Sequence, residues 1–419
     1  MHIVWVHRGM YPDHIGGTYT YIYELGRRLA ARGHRIEVIA RALSAEHKGH
    51  SRYEGIDVHR YTYRRVNPVY STLQHMNKSY SLFREIQESE PVDILGIHDA
   101  HLGLKIAGSA LGRSVCQVPT YHAPVFLEFR FNTAWRIGAE RSPLKRMALR
   151  LAEPPLEYWQ RRFEAGVLGR ANGILVLSQF TRKNIEKYFP GVEVDRVRII
   201  PSGVDTGRFA PARDRAAVRR ELGLSESAVH LLTVRKLVPR MGLEHLLRAV
   251  ALLKKRRAAE AEDLRLVVCG SGPLMPVLGS LAAELGIAGS VTLAGHVQDE
   301  VLVKHYQAAD LFVLPTEALE GFGISTVEAL SANLPVVGTP AGATPEILGR
   351  IDPRLLTRGM SPEAIADAVH SWLDWRREEE GTTRYRNEVL SRYTWDGVTD
   401  EVEKYYGEMS EVFRRERHG

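Results

Sequence analysis

Short apolar runs alternate along the chain with longer stretches whose apolar positions recur at helical spacing. Ile3–Val6 reads as a strand, a helix is expected near Tyr19–Arg32, and further strands are expected at Ile36–Ala40 and Asp93–Ile97. Strands alternating with amphipathic helices predict a parallel α/β domain. The pattern restarts after Pro201, with strands expected at Leu231–Val234, Leu266–Cys269, Val291–Leu293, Leu311–Leu314 and Val336–Val337 and helices such as Gly242–Lys254 between them. This predicts two doubly wound, Rossmann-like units, 1–205 and 206–395, with a terminal helix at about 396–419 crossing back to the first. The Pro and Gly punctuation of Ile200–Pro211 marks their connection. In such sheets ligands sit outside the carboxyl ends of the strands, so a ligand is expected in an interdomain cleft faced by both sheets.

The length of 419 residues agrees with two cores rather than one. A net charge of +6 suits an anionic ligand: a nucleotide diphosphate, a nucleic acid or an anionic membrane. No helix-turn-helix, zinc-finger or aromatic RNA-binding signature is visible, so nucleic acid is not an expected partner. Cys116 and Cys269 lie far apart in apolar runs and read as buried thiols. The N-terminal apolar run is too short for a signal peptide, and no run approaches the ~18 apolar residues of a membrane span. A cytoplasmic protein is expected. Peripheral membrane contact stays open, because Arg136–Arg170 reads as a helix crowded with Arg141, Lys145, Arg146, Arg150, Arg161 and Arg162 among Trp135, Leu149, Leu151, Tyr158, Trp159 and Phe163. Such a stretch fits either an anionic membrane surface or a solvated face with its apolar side in the core, the latter being the plainer expectation. Lys254–Arg257 reads as a solvated helix end that complements the helix dipole.

The densest chemistry follows the strand Leu311–Leu314: Glu320-Gly321-Phe322-Gly323-Ile324-Ser325-Thr326-Val327-Glu328. Gly321 and Gly323 let backbone amides approach a ligand closely. Ser325 and Thr326 are expected to cap a helix whose N-terminal amides face a diphosphate. Glu328, expected in the first turn, can accept from a ribose diol, and Glu320 on the loop can reach a sugar. A plain strand-loop-helix with a carboxylate at each end would read the same way.

In order along the chain, these residues resemble the family-4 retaining glycosyltransferases of the GT-B fold. Glu320 and Glu328 in the context EGFG…EAL resemble the family's Glu-x7-Glu signature, and Val197–Asp205 resembles its VIPNGVD segment with Ser202 in place of Asn. Gly270–Pro273 resembles GxGP, Pro335–Glu346 resembles PVVxT…G…PE, and Gly16-Gly17 with Leu25, Leu29, Ala30, Gly33 and His34 resembles GG…L…LA..GH. The resemblance implies transfer of a sugar from a nucleotide diphosphate sugar, UDP- or GDP-linked, to an acceptor hydroxyl, without a metal or other cofactor. It implies contacts to the donor from Gly16, Gly17 and the residues Gly321, Phe322, Gly323, Ile324, Ser325 and Glu328, and a catalytic place for Glu320 and for His122, with His98 or His101 as weaker candidates. The acceptor stays open among a lipid carrier, a polysaccharide and a small aglycone.

One departure stands out. Where the family reads G-R-L-x-x-x-K-G, this chain reads Arg235-Lys236-Leu237-Val238-Pro239-Arg240-Met241-Gly242. Lys236 with Arg240 is the expected phosphate clamp, Arg235 being a further candidate for the cation missing at Met241. That gap also motivates a binding protein without catalysis as an alternative, beside an epimerase or phosphorylase on the same architecture. Asn333, where glycine is common, is expected to perturb a turn only.

Overall fold

The computed structural model describes residues 1–14, 16–64, 66–256, 263–379 and 381–418; Arg257, at the end of the basic run, lies outside these. The chain forms two compact units, one of residues 1–129, 143–202 and 395–419, the other of residues 130–142 and 203–394.

The first unit is built on strands β1 (His2–Val6), β2 (Arg35–Arg41), β3 (Gly49–Tyr53), β4 (Ile56–Tyr61), β5 (Ile94–Ile97) and β6 (Cys116–Gln117), in the order β3-β4-β2-β1-β5-β6. All neighbours pair in parallel except the β3–β4 hairpin. Beyond Pro119 the chain continues into a second small parallel sheet of β7 (Thr120–Tyr121), β8 (Ile174–Val176) and β9 (Val197–Ile199). β1 and β5 are buried on both faces, which is why they read as uninterrupted apolar runs. Helices Pro68–Ser89, Ala100–Gly108 and Pro143–Leu168 share one core, through Phe83 and Ile86, Leu102 and Ile106, and Val167. The terminal helix Trp395–His418 belongs to this unit: Tyr406 accepts from the Trp5 indole at 3.3 Å, and Glu403 holds both Arg32 and His34. The expected single helix over Arg136–Arg170 is instead two, Val125–Ala139 and Pro143–Leu168, because the second starts afresh on Pro143, a residue suited to a first helical position.

The second unit carries β10 (Val229–Val234), β11 (Leu264–Cys269), β12 (Val291–Gly295), β13 (Leu311–Leu314) and β14 (Val336–Gly338), all parallel in the order β12-β11-β10-β13-β14. Its core joins Leu231, Leu266 and Val313 to Leu246, Val250, Leu278 and Val369 of the flanking helices, with Trp135 packed against it. Asn333 takes a left-handed φ of 56° after the helix Ile324–Ser331, the place where a glycine would otherwise stand. Its amide then reaches across, donating to the Thr382 carbonyl at 2.6 Å and accepting from the Arg386 amide at 3.3 Å. Both cysteines are buried and free, burial pushing each thiol up to about 12.

Candidate active site

In the second unit strand order reverses between β10 and β13, so the segments leaving these two strands flank the position where doubly wound sheets bind ligands. The chain leaves β10 as Arg235-Lys236 and leaves β13 as Pro315–Gly323. Arg235 is buried and donates to the Glu320 carboxylate and, at 2.7 Å, to the Met241 sulfur. Thr316 donates its hydroxyl to the same carboxylate at 3.1 Å. Burial pushes the Glu320 carboxyl up, but Arg235, then Arg240 and Thr316, more than offset this and hold it below the usual range. Arg240 donates to the Leu319 carbonyl at 3.1 Å, and its own carbonyl accepts from the Glu317 amide at 2.9 Å, so it pins the loop that carries Glu320. Lys236 is exposed. The cation buried against Glu320 is therefore Arg235.

Two glycines permit this closeness. Gly242 has φ +67°, and a Cβ there would fall 1.8 Å from the Pro315 carbonyl oxygen; Gly342, at φ +61°, would place one 2.2 Å from the Glu320 carbonyl oxygen. That same oxygen accepts from the Ala343 amide at 2.8 Å. The backbone of Glu320 is thus held by the Pro-Glu segment downstream.

The helix Ile324–Ser331 is capped by Gly323, at φ 98°, with no side-chain cap. Ser325 and Thr326 lie within its first turn, which corrects the expectation that they cap it, and the Thr326 hydroxyl is buried without a hydrogen-bond partner. The first-turn amides at the positive end of the helix suit an anion. Phe322 is buried, its ring meeting Tyr393 edge-on at 5.6 Å, while Gly321, Ile324 and Ser325 are half-buried. Glu328 falls one turn later than expected, as the fifth helical residue, and accepts from the Tyr306 hydroxyl at 2.7 Å. Burial raises its carboxyl to about 7, against the lowering effect of the Tyr306 hydrogen bond.

The first unit repeats the geometry with other chemistry. Here strand order reverses between β1 and β5. His7 follows β1, His98 follows β5, and His122 follows β7. His98 Nδ1 lies 3.0 Å from His122 Nε2 with the rings stacked at 5.3 Å, and His7 meets His98 at 6.3 Å. Burial lowers all three: His7 to about 4, His122 to about 3, His98 well below its ordinary value. They are neutral imidazoles at physiological pH. Arg8 donates to Asp99 at 2.6 Å, the carboxylate buried and the guanidinium side chain 42% exposed. Burial pushes Asp99 up, but Arg8 together with His101 and His7 more than offsets this and holds Asp99 well below the usual range. Asp99 also caps the helix Ala100–Gly108, whereas His101 turns to the Phe163 ring at 5.1 Å. Gly16, with φ 142°, caps the helix Gly17–Ala31, and Gly17 is its exposed first residue.

Sequence reasoning singled out His98 and His122 and passed over His7 and Arg8. The available signal was positional: they follow β1 as Arg235 and Lys236 follow β10.

Two doubly wound parallel sheets, one with a glycine-capped helix beside a buried Arg–Glu pair, define a class that the comparisons identify. The structure superposes on sucrose-phosphate synthase from Thermosynechococcus elongatus with a TM-score of 0.78 at 18% identity, over 98% of this chain and 99% of that one, a likeness that shows the GT-B fold. Two family models match, Glycosyltransferase Family 4 over residues 15–208 and Glycosyl transferases group 1 over residues 214–388. The chain is 28% identical over 417 residues to the D-inositol 3-phosphate glycosyltransferase of Geodermatophilus obscurus, covering 94% of this chain and 85% of the relative. It is 32% identical over 234 residues to the GDP-mannose-dependent alpha-(1-6)-phosphatidylinositol monomannoside mannosyltransferase of Mycolicibacterium smegmatis, covering 54% and 59%. The protein is a glycosyltransferase with the GT-B fold. It belongs to glycosyltransferase family 4.

Proposed function

We propose that this enzyme moves a sugar from a nucleoside diphosphate sugar to an acceptor hydroxyl with retention of anomeric configuration and without a metal. The observation that carries the reading is the ionised, arginine-paired Glu320 on the loop that runs into the N-terminus of helix Ile324–Ser331. The diphosphate sits against the first-turn amides of Gly323, Ile324 and Ser325, with Gly321 and Phe322 lining the approach and Arg240 and Lys236 as its clamp. Glu328 accepts from the ribose diol. Gly16 and Gly17 approach the donor from the first unit's glycine-capped helix, and neutral His122 hydrogen-bonds the reacting sugar. The anomeric carbon–oxygen bond to the phosphate breaks as the acceptor oxygen bonds on the same face, and the acceptor proton passes to the departing phosphate. Glu320 orients the sugar. With Arg235 buried at Met241, the missing family lysine is not a missing charge, which supports catalysis rather than binding alone.

The mannosyl relative's use of GDP-mannose supports a GDP-linked donor, with UDP as the other candidate. The inositol phosphate glycosyltransferase supports a phosphorylated or lipid-borne polyol as acceptor over a polysaccharide or small aglycone. A thermal-shift screen of nucleotide sugars identifies the donor, because a true ligand stabilises the native state by mass action. With that donor, Glu328→Ala is expected to weaken nucleotide binding about tenfold, the loss of roughly one good hydrogen bond. Glu320→Gln is expected to leave binding within a few-fold and to lower kcat by about 10²–10³. Full transfer by both variants would remove this site from the reaction, an inverted product by NMR would sink retention, and loss of turnover in EDTA would sink metal independence.

A further inference from the structure

The helix Pro143–Leu168 is apolar on two sides. One side, with Leu149, Leu156, Phe163 and Val167, turns inward, Val167 lying in the first unit's core and Phe163 against His101. The other carries Leu144, Met147, Leu151, Pro155, Tyr158 and Trp159, at the three-to-four spacing of a single helical face. Its large members are strongly exposed: Leu144 75%, Met147 56%, Leu151 71%, Tyr158 60% and Trp159 58%. The expectation that the apolar side of the stretch lies in the core therefore holds for Phe163 and fails for Leu151, Tyr158 and Trp159, because the inner face already supplies the core contacts. Helices apolar all round are ordinarily buried, and a contiguous exposed apolar stripe marks an interaction surface.

A second exposed stripe, Val66, Val69, Tyr70 and Leu73, opens the helix Pro68–Ser89. Topology brings both stripes to one edge of the first unit. Pro68–Ser89 follows β4, so it begins at the carboxyl edge of that sheet. Ala100–Gly108 begins there too, after β5, and its second residue His101 meets Phe163. Residues 143–162 therefore run on past this edge, about 30 Å of helix at roughly 1.5 Å per residue.

The charge says what covers the stripe. Residues 143–162 contain Lys145, Arg146, Arg150, Arg161 and Arg162 against only Glu153 and Glu157, five positive less two negative, a surplus of three. Arg161 and Arg162 also line a surface groove with Tyr158 and Tyr188. Apolar residues, Trp and Tyr on one helical face with flanking cations match the headgroup region of an anionic bilayer, where apolar side chains sink a few ångströms and cations meet phosphate. We propose that the first unit docks on anionic membranes through this edge, with residues 143–162 lying in the headgroup plane. Docking does not depend on the transfer mechanism; the proposed function enters only in the consequence, that the acceptor is met at the bilayer surface.

The test is sedimentation of the full chain with phosphatidylcholine vesicles containing or lacking phosphatidylglycerol. Binding is expected to the anionic vesicles only and to fall at least tenfold between 50 and 300 mM salt, on the order expected for several cation–phosphate contacts. Leu151→Glu/Trp159→Glu is expected to abolish it while the thermal midpoint and nucleotide binding stay at the parent's values. Arg150→Glu/Arg161→Glu, which leaves the apolar stripe intact, is expected to weaken it about tenfold or more. No binding to anionic vesicles at low salt, or equal binding by the Leu151→Glu/Trp159→Glu variant, overturns the proposal. So does a dimer that this variant dissociates in the absence of vesicle binding, since the stripe would then meet a second copy. Vesicle binding with failed sugar transfer would strike the proposed function and leave this one standing.

Discussion

The two units reverse strand order at the same step, between their first and fourth parallel strands, and fill the place so made with opposite chemistry. In the first unit three strand ends deliver His7, His98 and His122, all held neutral by burial, beside an Arg8–Asp99 pair whose cation is half in solvent. In the second the buried partner is the cation: Arg235 is closed in between Glu320 and the Met241 sulfur, next to a helix N-terminus. Neutral imidazoles suit hydrogen bonds to hydroxyls. A positive helix end with arginines suits phosphate. One topology thus makes two sites, and the residues that end each strand decide what each site can hold.

The sharpest way to break the contrast is at Met241. Met241→Lys places a second buried cation beside Arg235, expected to cost roughly 3 kcal/mol of stability and to lower turnover about a hundredfold. Adding Arg235→Gly, which restores the family pattern at both positions, is expected to recover most of both losses, read as non-additivity in a double-mutant cycle. If the double variant is worse than either single one, Arg235 does not take the lysine's place.

A pH titration separates the units next. His7 and His122 titrate at about 4 and about 3 when folded, against about 6.5 in an unfolded chain. The unfolded state therefore binds more protons below pH 6.5. Their contribution is fully present above that pH and is lost as pH falls through the folded values, by about 1.4 kcal/mol per pH unit for each histidine. Glu164, raised to about 8 by burial, acts oppositely, its contribution fading as pH rises from about 4.5 through 8. With His7, His14, His75, His98 and His122 all lowered in the first unit against His230 and His305 in the second, the first unit is expected to lose hydrogen-exchange protection first on acidification. His122→Gln should move that transition to lower pH. Equal loss of protection in both units would remove the distinction.

The smallest effect expected is at Glu328. Its carboxyl titrates at about 7, and only the ionised form accepts two hydrogen bonds from a ribose diol while keeping that of Tyr306. Nucleotide affinity is expected to rise a few-fold between pH 6 and 8, and Glu328→Gln to flatten the profile, as calorimetry would show. A parent profile that is already flat would remove Glu328 from the ribose.

All five strands of the second unit and β1, β2 and β5 of the first were legible, because buried parallel strands are short apolar runs bounded by turns. The hairpin Gly49–Tyr61 was not, since β3 is a polar, partly exposed edge strand without the alternation that marks one. Within the site, Glu320, the Gly321–Gly323 loop and Glu328 were visible through spacing, but the cap was misplaced because Gly323 itself, at φ 98°, takes the position that Ser325 was expected to fill. His7 and Arg8 carry no local pattern, and it is the adjacency of β1 and β5 that brings His98 and Asp99 to them.

The sequence by itself determined the strand–helix alternation, the two-unit plan and the glycines at close backbone approaches, since these follow from short-range sterics and periodicity. Tertiary structure decided which cation meets Glu320, because Lys236 and Arg235 are adjacent in the chain and point from a strand end to opposite fates, one exposed and one buried. It also decided that the outer face of Pro143–Leu168 stays in solvent. Both of that helix's faces are apolar, and only the packing of its neighbours selects the one that enters the core.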